Sequence, residues 1–151
     1  MMARHARAGR IDWIGLRPAR RADVVSVDEA QVTATGLSGD HAPEGKRALT
    51  LIQAEHLPVI AALASLAEVP PALLRRNIVV SGLNLLGFRK AQLQIGAAII
   101  EVSGPCPPCS RMEEALGHGG YTAVRGHGGV YASVIRPGTI RIGDAVAPVS
   151  A

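Results

Sequence analysis

The sequence predicts a mainly β domain, a barrel or sandwich carrying a few short helices. Three observations predict it. Short β-branched or alternating runs recur along the chain, proline and glycine punctuate them as turn signals, and only three segments carry helix signals. At 151 residues and 48% apolar content, the chain can bury one core without disulfide or metal staples. A single domain over residues 1–151 is therefore expected, with 1–9 flexible.

Taken in order, strands are expected at residues 11–16, 24–27, 31–35 and 49–52. Residues 54–67 follow with Leu57, Ile60, Ala61, Ala64 and Leu66 near helical spacing, and 72–76 after Pro70-Pro71 suits a short helix with proline at its start. Further strands are expected at 78–80, 93–95 and 98–102. A third helix is expected over 110–116, where Ser110 and Glu113 form a capping-box pattern and Gly117 offers a left-handed stop. The final strands, 130–135, 139–142 and 145–149, are separated by the turn signals Pro137-Gly138 and Gly143-Asp144.

Composition narrows the function classes. With only Trp13, Phe88, Tyr121 and Tyr131 aromatic, the core must be aliphatic. The net charge of +4 comes from clusters such as Arg17/Arg20/Arg21, Arg75/Arg76 and Arg89/Lys90, which favours small anionic ligands or no special partner. Aromatics are not interleaved with these cations, which argues against nucleic acid. The longest apolar run, 57–67, falls far short of the roughly 20 residues a membrane helix needs. No apolar segment of signal-peptide type follows the basic opening, so a cytoplasmic setting is expected.

Both cysteines lie in Gly104-Pro-Cys-Pro-Pro-Cys109, at the start of the third helix. A helix start and nearby Arg111 favour a thiolate at Cys109, which can attack, carry sulfur or bind a soft metal. Other readings stand beside it. A structural zinc site would need a second ligand pair; a thioredoxin-like dithiol fits the order strand, C-x-x-C, helix; and two cysteines can simply pack in a loop. Downstream, Arg125-Gly-His-Gly-Gly129 forms a loop whose N–H groups could cup an anion while His127 carries a proton.

The run Ile100-Glu-Val-Ser-Gly-Pro-Cys-Pro-Pro-Cys109, then Gly129-Val-Tyr-Ala-Ser-Val-Ile-Arg-Pro-Gly-Thr-Ile-Arg-Ile-Gly-Asp-Ala-Val146, resembles a MOSC domain, the module at the C-terminus of molybdenum cofactor sulfurases. Upstream, Gly36-Leu-Ser-Gly-Asp-His-Ala42, Arg47-Ala-Leu-Thr-Leu-Ile52 and Arg75-Arg-Asn-Ile-Val-Val80 resemble family segments in the expected order, so the resemblance covers residues 10–148. It implies a β-barrel with a few short peripheral helices that binds a molybdenum–pterin cofactor.

The same resemblance implies roles for residues. The family cysteine, which carries sulfur in some members and ligates molybdenum in related amidoxime-reducing enzymes, aligns with Cys109; Cys106 is not a fixed family feature. Arg75 and Asn77 match an Arg-x-Asn motif and are of the types to pair with the cofactor phosphate and a pterin edge. Asp40 and His41 match the family's early turn, where a purely structural role is the competing reading. Full sulfurases also carry a pyridoxal-phosphate desulfurase domain, for which this chain leaves no room. With no flavin, haem or iron–sulfur motif, an external electron donor or a cysteine desulfurase is the expected partner.

Overall fold

The structure, a computed structural model, describes residues 5–42 and 45–149. Strands β1 (Gly9–Leu16), β2 (Val25–Val27), β3 (Glu29–Thr33) and β4 (Gly36–Leu37) come first, and β5 (Leu49–Gln53) leads through α1 (His56–Leu63) to β6 (Ile78–Ser81). Next, β7 (Gln92–Ile95) and β8 (Ala98–Pro105) lead into α2 (Ser110–Leu116) and α3 (Gly120–Val124), followed by β9 (Val130–Arg136), β10 (Gly138–Arg141) and β11 (Ala145–Pro148).

Seven strands form a closed barrel in the order β11-β7-β8-β9-β5-β6-β1, sealed where Gly9 and Arg10 of β1 pair with Val146 and Ala145 of β11. Within it, β5 and β6 alone run parallel, with Leu51 opposite Ile78. A parallel pair cannot be joined by a tight turn, so a crossover is required, and α1 with the 3-10 turn Pro71–Leu74 supplies it. A smaller sheet, β10-β3-β4, adds Ala30, Val32, Leu37 and Ile140 to the barrel core.

Alternation along the strands creates two apolar layers. Leu49 and Leu51 of β5 and Ile78 and Val80 of β6 point into the barrel, while their neighbours Ile52 and Val79 face the helices. There they meet Ile60, Leu74, Met112, Leu116 and Val124. A register shift between Ile11 and Trp13 in β1 sends Ile11 and Ile14 inward and leaves Trp13 against the helical layer. Each fully buried aliphatic side chain contributes about 1.5–3 kcal/mol. No helix among the described residues is long and apolar enough to cross a membrane.

Local departures from the sequence reading have physical causes. The helix expected over 54–67 spans only His56–Leu63, because Ser65 adopts a left-handed conformation with φ of 58°. The segment expected as a helix at 72–76 is a 3-10 turn ending at Arg75, itself left-handed at φ 56°. The third helix has its expected bounds, but Cys109 rather than Ser110 is its N-cap. Glu113 does not close a capping box. Its carboxylate instead accepts the N–H groups of Gly119 and Tyr121 at 3.1 and 3.0 Å, organising the start of α3, an element the sequence reading did not include. Those bonds hold the Glu113 carboxyl below its ordinary value. Gly9, expected in a flexible segment, is already paired in β1, and residues 1–4 lie outside the described residues.

Candidate functional site

One row of register partners crosses the barrel wall from β1 to β8: Ile14, Ile78, Leu51, Val130 and Pro105. The segments that leave or enter these strands carry the expected residues Arg75 and Asn77 before β6 and Cys109 in the loop after β8, and beside them Arg17 after β1.

Asn77 is fully buried. Its Nδ2 donates to the Gly15 carbonyl at 3.1 Å, and its Oδ1 accepts the Thr50 N–H at 3.1 Å and an Arg17 N–H at 3.2 Å. The amide thus ties β1, β5 and β6 together and orients Arg17. It lines neither of the two cavities described below. Arg17 is fixed from its other side by Asp40, whose carboxylate accepts Nη2 at 2.8 Å, Nε at 3.1 Å and the Arg17 backbone N–H at 2.6 Å. The Asp40 side chain is 1% exposed and that of Arg17 15%, so this is a desolvated, bidentate pair, and the other arginine edge donates to Asn77 Oδ1 and, at 3.4 Å, to the Arg75 carbonyl.

Arg75 follows the 3-10 turn and donates to the carbonyls of Ala22 and Ala19. Partial burial, then the guanidiniums of Arg17 and Arg111, push it below the ordinary arginine value. Three guanidiniums crowded on one wall is an arrangement an anion relieves. Arg76 belongs to the same wall but is buried and donates to Gly128 O at 2.7 Å and Leu74 O at 2.8 Å, holding the glycine loop to the crossover.

These groups border an open cavity of about 530 Å³ lined by Arg17, Arg75, Arg111, Cys109, Met112 and Tyr131, among others. Cys109 is exposed as the N-cap of α2. Cys106 is 4% exposed, burial raises its thiol above the ordinary value, and it faces a second cavity on the other side of the loop. The two thiols therefore occupy different environments, on a closed barrel instead of a thioredoxin-like strand–helix alternation. Among the described residues no three His, Cys, Asp or Glu side chains converge as a metal cluster.

The remaining expected residues are dispersed. His41 is exposed, and its backbone N–H donates to Arg17 O at 2.7 Å; its side chain lines neither cavity. Arg125 lines the second cavity. His127 lies half-buried against His56, with ring centroids 5.5 Å apart, and lines neither. Arg17, Arg111 and Tyr131 were not singled out as ligand residues in the sequence. Their only signal was charge clustering and the scarcity of aromatics.

A family model described as MOSC domain matches residues 26–147. The chain belongs to the MOSC domain family. Among solved structures it is similar to the YUAD protein from Bacillus subtilis, at 17% identity over 93% of this chain and 94% of that one, with a TM-score of 0.81. It is also similar to YiiM from Escherichia coli, at 27% identity over 94% of this chain and 70% of that one, TM-score 0.72. YiiM from Geobacillus stearothermophilus is 18% identical over 94% and 75% of the two chains, TM-score 0.76. No curated protein matches the chain in sequence. In this MOSC domain Arg17 reaches the Cys109 cavity held by Asp40 and Asn77, neither of which lines it.

Proposed function

We propose that this MOSC domain holds a molybdenum–pterin cofactor in the cavity beside Cys109. The observation that carries the reading is the convergence, on one open cavity, of an exposed thiol and five arginines, Arg17, Arg21, Arg75, Arg76 and Arg111, drawn from distant parts of the chain.

The donor set fits such a group. Arg111 is of the type to pair with its phosphate, Arg17 and Arg75 add positive charge beside it while their N–H groups serve the protein's own acceptors, and Cys109 would offer one soft sulfur donor. Since no cluster of metal-ligating side chains surrounds Cys109 among the described residues, a metal there would take its other donors from the group that carries it. A bound cofactor of this kind supplies dithiolene sulfurs and a redox-active metal. The chain's own contribution is positional. Asp40 and Asn77 hold Arg17 before any ligand arrives, and Tyr131 and Met112 provide apolar wall. Electrons would come from an external donor, in the cytoplasm, where two unpaired cysteines suit the redox state.

Exposure of Cys109 favours a second reading, sulfur carriage without a metal. Cys109 Sγ would attack the terminal sulfur of a cysteine desulfurase persulfide; that donor's S–S bond breaks, its thiolate leaves, and the outer sulfur stays on Cys109.

Protein purified from a host that makes the cofactor separates the two. Molybdenum and pterin that co-purify with wild type, fall with Arg75→Gln and vanish with Cys109→Ser support the first reading. If neither co-purifies nor binds on reconstitution, that reading fails. Labelled sulfur loaded by a desulfurase onto wild type but not onto Cys109→Ser then supports the second.

A further inference from the structure

The cysteine loop has two sides. Opposite Cys109 lies a second open cavity of about 570 Å³ that shares only Tyr131 with the first. Lys46, Arg47, Arg89 and Arg125 border it, brought from a 3-10 turn, the β6–β7 connection and the loop after α3. No carboxylate lines it among the described residues, whereas Glu114 lines the cysteine cavity.

The cations of the two cavities are used differently. Arg17 is bound to Asp40, and Arg75 and Arg76 donate to carbonyls. Among the described residues no ion pair engages Lys46, Arg47, Arg89 or Arg125. Arg47 lies over the Tyr131 ring, 4.7 Å from its centroid, and Arg125 over Tyr121 at 5.7 Å, which positions both guanidiniums without consuming their N–H donors. Gly104 leaves room for Arg89, whose Nε sits 3.6 Å from where a Cβ would stand, so the guanidinium lies along β8 at the cavity edge. The floor between these charges is apolar, built of Pro105, Pro107, Pro108 and Tyr131.

We propose that this second cavity binds a small organic phosphate monoester, with Lys46, Arg47, Arg89 and Arg125 around the phosphate and the organic body against the prolines and Tyr131. A dianion matches four cations whose carboxylate partners are absent among the described residues. The apolar floor distinguishes a phosphate ester from inorganic phosphate. The site is separate from the cofactor cavity and does not depend on a metal being held there.

The test uses metal-free protein and phenyl phosphate as probe, titrated by calorimetry at about 0.15 M ionic strength, where charges are screened over about 8 Å. Wild type should bind it saturably and more tightly than inorganic phosphate. Arg89→Gln should weaken binding about tenfold, the loss expected for one charged hydrogen bond. Arg111→Gln, on the cysteine cavity, should leave the affinity within about twofold, as expected for a cation that does not touch the ligand. Among the described residues Arg89 has no ion-pair partner to lose, so an unchanged melting temperature certifies the fold of that variant. Absence of saturable binding by wild type overturns the proposal. So does equal weakening in both variants, or loss of co-purified molybdenum in Arg89→Gln, which would make this cavity the far end of the cofactor site. Because the titration needs no cofactor, its failure leaves the molybdenum reading standing.

Discussion

Arg17 and Asp40, twenty-three residues apart, form a two-point ion pair in which Nη2–Oδ2 is 2.8 Å and Nε–Oδ1 is 3.1 Å. Asp40 also accepts the Arg17 backbone N–H, so a single carboxylate sets both the path of the chain leaving β1 and the direction of its side chain. Breaking a buried pair from one side leaves an uncompensated charge, which costs more than the pair contributes. Asp40→Asn should therefore destabilise the fold by about 3 kcal/mol, the lower end for buried pairs because the Arg17 side chain keeps some solvent contact. Denaturant unfolding measures this, and the same variant should lower cofactor content by releasing Arg17 from the cavity wall.

The two cysteines should be separable by chemistry alone. Cys109 is exposed and Cys106 is buried with its thiol raised. Iodoacetamide should label Cys109 quickly and Cys106 only after unfolding. Cys109→Ser should change stability by less than about 0.5 kcal/mol, as for a surface substitution, while removing labelling. Equal labelling rates for the two thiols in the native state would remove this distinction and revive the dithiol reading.

The barrel was legible in the sequence because its strands obey simple rules, alternating inward residues such as Leu49 and Leu51 with outward ones such as Ile52, between glycine and proline turns. The expected residues Cys109 and Arg75 do share a cavity. Asn77 is instead an anchor, since an amide with four hydrogen-bonding positions serves a buried strand junction as readily as a pterin edge. Arg17 was hidden among three arginines, because only tertiary contact reveals which one meets Asp40. The Ser110–Glu113 spacing misled for a related reason. Glu113 finds better donors at Gly119 and Tyr121, which a turn after α2 brings within reach.

Gly129 should tolerate no side chain. It sits at φ 90°, and an added Cβ would run into the Leu51 carbonyl on β5. Because both the backbone conformation and the space forbid it, Gly129→Ala should cost about 2–4 kcal/mol. The effect should reach the site as well, since the Cys106 N–H donates to Gly129 O at 2.9 Å and holds the cysteine loop to β9. Faster native-state labelling of Cys106 in this variant, measured below its unfolding transition, would report that link; an unchanged rate would show the loop is held elsewhere.

The His56–His127 contact gives a pH dependence with a definite sign. Burial and the adjacent His127 hold His56 below the ordinary histidine value of 6.5, with Glu55 opposing them. The folded chain therefore takes up this proton at lower pH than the unfolded chain. Within the window between the two values the unfolded state binds more protons, so stability is full above pH 6.5 and is lost as pH falls toward the folded value. His56→Gln should flatten that part of the stability profile. His127→Gln should instead raise the His56 titration midpoint toward its ordinary value by removing a like charge, which the His56 ring proton resonance follows directly. As neither ring lines the Cys109 cavity or the second one, His127→Gln should leave molybdenum content unchanged. A fall in content would return His127 to the site and show that the glycine loop carrying it moves when the ligand binds.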